Sequence, residues 1–185
     1  MKNIQYLALL RGINVGGKNI IKMADLKASF ESMGFSDVTT YIQSGNVMFT
    51  SAEKDKLKLA RQIEKNLSKT FNYASLVVVV SYQELQKIVK SAPQGFGGEP
   101  DNYRYDVVFL KDPLTPAEVM EQVSLKEGVD QAYAGEIAFY FSRLTSRAVQ
   151  SRLNKIASLP IYKSMTIRNW NTTTKLLALM EKENL

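Results

Sequence analysis

The chain contains neither cysteine nor histidine. Without cysteine there is no disulfide, no thiolate nucleophile and no cysteine-ligated metal, and nothing ties the fold to an oxidising compartment. Without histidine the usual neutral-pH general base and the commonest zinc ligand are gone, and with them every Ser-His and Cys-His arrangement. No metal site and no cofactor is expected. Long apolar runs are missing as well. The stretch from Ile4 to Leu10 is too short for a signal-peptide core or a membrane span, so no membrane partner is expected and the cytoplasm is the expected location.

What is present is an excess of positive charge: 24 Lys and Arg against 18 Asp and Glu, a net +6 over 185 residues. That balance leans towards phosphate-bearing partners, although solubility alone accounts for a surface of this charge. The length suits one large domain or two units of about 90 residues, either of which can bury a core.

The pattern along the chain favours two units. Ile4 to Leu10 is apolar on both alternating sets, as a central strand covered on both faces would be. Met23, Leu26, Phe30 and Met33 recur at helical spacing and Gly34 ends the run. Val38–Gln43 and Val47–Thr50 read as strands joined by Ser44-Gly45-Asn46, Leu57 to Phe71 as a helix, and Leu76–Val80 as a strand. Strand, helix, strand, strand, helix, strand is the ferredoxin-like order. A helix from Ser81 and a Pro/Gly segment through Gly98 then form a connection. The same order begins again at Tyr105–Leu110, with Thr115-Pro116-Ala117-Glu118 opening a helix as a capping box. It continues with a hairpin around Ala134-Gly135, a helix over 145–158 with Val149, Leu153 and Ile156 inward, and a strand at Met165–Arg168. A last helix is expected over 171–185. The expected fold is therefore α+β: two ferredoxin-like (βαββαβ) units in tandem with mostly antiparallel sheets and a C-terminal helix. Their expected bounds are 1–81 and 104–185, with 82–103 as the connecting helix and linker.

Two stretches carry candidate chemistry. The first is Arg11-Gly-Ile-Asn-Val-Gly-Gly-Lys18, three glycines and two cations at a strand end, whose amides can close on an anion. The ferredoxin-like strand order 4-1-3-2 brings it beside the 44–46 turn, so Arg11, Asn14, Gly16, Gly17, Lys18, Ser44, Gly45 and Asn46 form the expected ligand-binding edge. The competing explanation is that Asn14 and Asn46 merely hold tight turns by bonding their own backbone. The second stretch is Thr166–Lys175, where Arg168 and Asn169 sit at a helix start beside the single tryptophan, Trp170. There too a bland explanation competes, with Trp170 as a core plug and Arg168 packed against it. The loop is not a Walker A loop, since no Ser or Thr follows Lys18, and its glycine spacing is not that of a dinucleotide fingerprint. An RNA-stacking sheet is disfavoured as well, because stacking needs an open aromatic face.

Leu9–Gly17, Tyr41–Val47 and Thr166–Thr172 with Lys175-Leu176 together resemble the bacterial family labelled domain of unknown function 1697. The resemblance spans nearly the whole chain. It implies a compact cytoplasmic protein without an established activity, cofactor or substrate. Three functions stay open. One is a binding protein that holds an anionic small molecule, a nucleotide or a nucleic-acid backbone at the basic edge. Another is an enzyme in which Lys18, Tyr41 or a carboxylate is the acid or base and Arg11 or Arg168 steadies an oxyanion. The third is an interaction module whose conspicuous surface is a homodimer face.

Overall fold

Residues Ile4–Arg11 form β1, the strand around which the first half of the chain assembles. It pairs antiparallel with both β3 (Asn46–Ser51) and β4 (Leu76–Ser81), in registers that set Leu9 opposite Asn46 and Arg11 opposite Leu76. β2 (Ser36–Tyr41) adds to the far side of β3, giving the order β2-β3-β1-β4. The structure, a computed structural model, describes residues 3–183, the side chains of Asn154 and Glu183 apart. The chain divides into two units, one up to Gln83 and the other Glu84–Lys182.

Alternation along β1 decides the core of the first unit. Tyr6, Ala8 and Leu10 share one face and pack with Leu26 and Phe30 of α1 (Met23–Ser32) and with Leu59, Ile63 and Leu67 of α2 (Lys56–Phe71). Leu7 and Leu9, on the opposite face, are also buried, as expected of a strand without a polar side. Phe49 is the hub of the aromatic contacts, with ring centroids 5.6 Å from Tyr6, 5.6 Å from Phe30 and 4.5 Å from Phe35. α2 is closed at both ends by local chemistry. Asp55 accepts from the Leu57 and Lys58 amides, and Asn72 takes the left-handed conformation (φ 52°) past its last turn. Just before that helix, the Glu53 carboxylate accepts the Lys54 and Asp55 amides and the Lys58 ammonium.

The second unit repeats the plan. β5 (Tyr103–Leu110) lies between β7 (Ala138–Leu144) and β8 (Met165–Asn169), with β6 (Asp130–Ala134) outside β7. α3 (Tyr82–Lys90) follows β4 directly, and α4 (Pro116–Gln122) opens with the Thr115/Glu118 capping box that the sequence predicts. Val108, Phe139, Phe141 and Met165 pack with Val119, Leu153 and Ile156. α5 (Trp170–Glu183) closes the chain; residues 184–185 of the expected helix lie outside the described residues.

The expected helix over 145–158 is corrected. Two 3-10 segments, Thr145–Gln150 and Leu153–Ser158, stand in its place. The buried Asp130 carboxylate captures the Arg152 amide at 2.9 Å, which a continuous helix would have given to a carbonyl one turn earlier. Leu153 and Ile156 keep their buried places, whereas Val149 is 97% exposed. Among the described residues no helix is long and apolar enough to cross a membrane.

Two outcomes follow from the first unit's packing. Phe49→Ala removes the ring shared by three aromatic neighbours and is expected to cost about 3–5 kcal/mol in denaturant unfolding followed by circular dichroism. The Glu53 carboxyl is held down at about 2, first by the Lys58 hydrogen bond and then by the Asp55 amide. Because the folded value lies below the ordinary 4.5, this stabilisation is present above 4.5 and fades as pH falls towards 2. Glu53→Gln is therefore expected to flatten the acid limb of the melting temperature against pH and to leave its shape around neutral pH unchanged, with the alkaline limb altered only where the Lys58 ammonium, which the carboxylate holds above its ordinary value, begins to titrate.

Candidate functional site

The ferredoxin-like order requires the end of β1 and the β2–β3 turn to share one end of the first sheet, and they do. The Leu10 amide donates to the Gly45 carbonyl at 2.8 Å. Beyond β1 the chain forms a miniature hairpin, with the Asn14 amide on the Asn19 carbonyl (3.1 Å) and the Lys18 amide on the Val15 carbonyl (3.1 Å). Gly16 and Gly17 occupy its tip at φ 57° and 72°. Two successive positive φ angles are what a two-residue turn between right-twisted strands demands, and this accounts for the paired glycines.

Asn14 joins this hairpin to the neighbouring turn. At φ 52°, its side chain accepts the Ile21 amide (2.8 Å) and donates to the carbonyls of Ile21 (3.0 Å) and Gln43 (2.9 Å). Asn19 adds a second tie by donating to the Gly12 carbonyl at 2.7 Å. Gly45 is needed twice over: its φ is 75°, and a Cβ there would stand 2.7 Å from Leu10 Cβ and 3.0 Å from Ile13 Cδ1. Asn46 is wholly buried, its amide group spent on the Tyr41 carbonyl (3.1 Å) and the Ser44 hydroxyl (2.9 Å).

The predicted residues thus divide by position. Asn14, Gly45 and Asn46 are the frame of the edge. Arg11, Gly16, Gly17, Lys18 and Ser44 are its outward members; Arg11 is half-buried and the other four are exposed. Val15 (65%), Ile20 (76%) and Ile42 (49%) are exposed beside them, and Ile42 holds φ 47°, a conformation that costs a β-branched residue of the order of 1–3 kcal/mol. The sequence offered no sign of that last feature, because isoleucine is a poor candidate for a left-handed turn position.

Arg168 and Asn169 belong to the second unit. Arg168, opposite Val107, is buried, with Nη1 donating to Thr166 Oγ1 and to the Ile167 carbonyl, both at 2.9 Å. Burial pulls its guanidinium down to about 10, with Tyr162 acting in the opposite sense, so it remains a cation at neutral pH. Asn169 caps α5: its Oδ1 accepts the Asn171 amide (3.0 Å) and its Nδ2 donates to the Tyr105 carbonyl (3.1 Å). Thr173 and Thr174 donate back to carbonyls within the helix and its start. Trp170 meets Phe96 edge-on at 5.2 Å.

Two cavities in the second unit escaped the sequence analysis. One, of about 190 Å³, lies between the end of α4 and the 153–158 turn, lined by Val123, Phe141, Leu153, Ile156 and Leu159 with Arg152 and Lys155. The other, of about 220 Å³, lies under the 93–99 loop against Tyr103, Tyr105, Gln131, Tyr133 and Ser142. The alternating polar aromatics of β5 and β6 were its only trace in the sequence. Among the described residues no group of three carboxylates could hold a metal ion.

Asn14→Ala leaves the Ile21 amide unpaired and places alanine at a positive φ. Amide hydrogen exchange at Ile21 is expected to accelerate by about tenfold or more, the equivalent of one lost hydrogen bond of about 1–3 kcal/mol, while exchange in the β1–β4 ladder stays slow.

A family model described as protein of unknown function, DUF1697, matches residues 4–140, which includes the first two motifs and ends before the third. The conserved bacterial protein SP0830 from Streptococcus pneumoniae is similar in structure, with a TM-score of 0.83, 25% sequence identity and coverage of 97% of this chain and 99% of that one. No curated protein matches the chain. By the extent of the family match, the chain belongs to the DUF1697 family of proteins of unknown function.

Proposed function

We propose that this is a binding protein whose first unit grips a nucleic-acid backbone at the glycine-rich edge. The observation that carries this reading is the tip of the miniature hairpin. Among the described residues, the Gly16 and Gly17 amides make no hydrogen bond, both glycines are exposed, and the Lys18 side chain beside them forms no ion pair. Two free amides in consecutive positive-φ residues next to a cation form a small nest for phosphate oxygens. Arg11 and Lys22, at the two ends of the same loop, add charge.

The exposure of the edge selects the size of the ligand. Every residue from Val15 to Ile20 is exposed, as are Ile42, Gln43 and Ser44, so no wall surrounds the tip. A small phosphate ester held there would stay in water and gain little. A polymer gains from repeating such shallow contacts, each releasing counterions. The exposed aliphatic groups of Val15, Ile20 and Ile42 offer apolar contact to sugars or bases next to the held phosphates. Lys18 is exposed to water, so what it offers is charge, which favours binding over acid–base catalysis.

The test is fluorescence anisotropy of labelled single- and double-stranded oligonucleotides between 50 and 200 mM salt, with two to three phosphates engaged. The logarithm of the binding constant is expected to fall against the logarithm of salt with a slope of about −2 to −3 for the duplex and about −1.5 to −2 for the single strand. Lys18→Glu is expected to weaken binding about tenfold and to reduce that slope by about one. Binding that ignores salt, or a Lys18→Glu protein that binds like the parent, refutes the proposal.

A further inference from the structure

The second unit's polar cavity has a chemistry opposite to that of the basic edge. Its lining, drawn from the 93–99 loop and the β5, β6 and β7 strands, contains no cation and a single carboxylate, that of Glu99. The strands explain how these residues meet. Tyr105 and Gln131 both lie opposite Ser142 in the β6-β7-β5 pairing, which puts the three on one face of the sheet, and alternation adds Tyr103 and Tyr133 to the same face. The 93–99 loop then crosses above them, with the Phe96 ring 4.9 Å from Tyr105 at 68°.

The hydrogen bonds within the cavity leave a defined remainder. Gln131 Oε1 accepts from Tyr133 Oη (3.2 Å) and from Ser142 Oγ (3.3 Å), which fixes the amide and leaves its Nε2 hydrogens without a partner among the described residues. Tyr105 Oη accepts the Glu99 amide at 3.3 Å, so its own hydrogen is still available. Glu99 Oε2 is taken by Asn102 at 3.2 Å, and Oε1 has no partner among the described residues. Nor have the Tyr103 hydroxyl and the Gln94 amide. The cavity thus presents several neutral donors, one carboxylate acceptor and aromatic rings.

This remainder discriminates between ligand classes. An anion would face Glu99 with no cation to compensate. Glu99 and Gln131 are exposed and hydrated in the free protein, so an organic cation would satisfy Glu99 but strip water from the Gln131, Tyr103 and Tyr105 donors it covers without replacing it, which weighs against binding. A ligand whose groups both donate and accept, and which has an apolar C–H face for the rings, answers all of them. From this we infer that the cavity binds a neutral polyhydroxylated ring through a vicinal diol, with Glu99 Oε1 accepting from the diol, and Gln131 Nε2 and the Tyr103 and Tyr105 hydroxyls donating to it. The diol belongs to a monosaccharide or to the ribose of a nucleoside. The volume of about 220 Å³ accommodates one ring. This site is independent of the basic edge, so the two proposals stand or fall separately.

The experiment is a ¹⁵N-NMR titration of the full chain with D-glucose, D-ribose, uridine, choline and inorganic phosphate. Either free sugar, or uridine alone, is expected to saturate with a dissociation constant in the millimolar range, shifting the Gln131 side-chain amide and the backbone of residues 94–99 and 131–133. Saturation by a sugar identifies a monosaccharide site; saturation by uridine alone identifies a nucleoside site. Gln131→Met, close in volume, and Tyr103→Phe, which removes one oxygen, are each expected to weaken the ligand about fivefold or more. The spectra of both variants show whether the fold is intact, and Tyr103→Phe keeps the test decisive should the β6 substitution disturb it. The inference is overturned if no polyol shifts these resonances, if choline or phosphate saturates them instead, or if both folded variants bind like the parent.

Discussion

A single carboxamide turns two separate reversals into one edge. The Asn14 side chain reaches Ile21 on its own loop and Gln43 on the neighbouring turn, with bonds of 2.8–3.0 Å. Without it, residues 12–22 would keep the hairpin's own bonds, the Asn19 tie to Gly12 and the buried Ile13 and Ile21, but would lose the bond that fixes the loop to the neighbouring turn. With it, the positions of Gly16, Gly17 and Lys18 are set relative to Ser44 and Ile42. Pre-arrangement of this kind matters most for shallow contacts, which have little energy to spend on ordering a loop.

The edge stores strain as well as order. Ile42 at φ 47° is held there by its surroundings: Asn46 bonds the Tyr41 carbonyl on one side, Asn14 bonds the Gln43 carbonyl on the other, and Gly45 is locked under Leu10. Clamped on both sides, the residue keeps a half-exposed aliphatic side chain in water and a conformation that glycine or asparagine would adopt more easily. An ordinary hairpin would have no reason to keep isoleucine at that place.

How much of this could be read from the sequence depended on the range of the interaction responsible. Periodicity of two and of helical type revealed both units, because β1, α2 and the Thr115/Glu118 cap are determined by side chains close in sequence or by one buried face. Connectivity then placed the loop beside the turn without any side-chain detail. Interactions between distant residues were not legible. Asp130 breaks the 145–158 helix from outside it by taking the Arg152 amide, and Asn169 caps α5 while bonding Tyr105 across the sheet. The two cavities draw on segments that converge only once the second sheet exists. Asn14 was legible as a turn residue, but its role as a clasp depends on a carbonyl that lies 29 residues on.

The second unit serves as an internal control on the meaning of the first. With the same strand order, it makes the corresponding crossing from β5 to α4 through residues 111–115 alone, against residues 12–22 in the first unit. That shorter path contains no left-handed residue, whereas the longer one uses Gly12, Asn14, Gly16, Gly17 and Asn19. The equivalent hairpin tip differs too: Gly135 is not left-handed, and its Cβ position is blocked by Tyr140 and the Ala138 carbonyl, while Glu136 beside it pairs with Lys87. The architecture alone therefore asks for neither the extra length, nor the glycines, nor the positive charge. Their presence in the first unit is a surplus over what the second unit needs for the same strand order, and that surplus, held in place by the Asn14 carboxamide, is what the proposed binding role would explain.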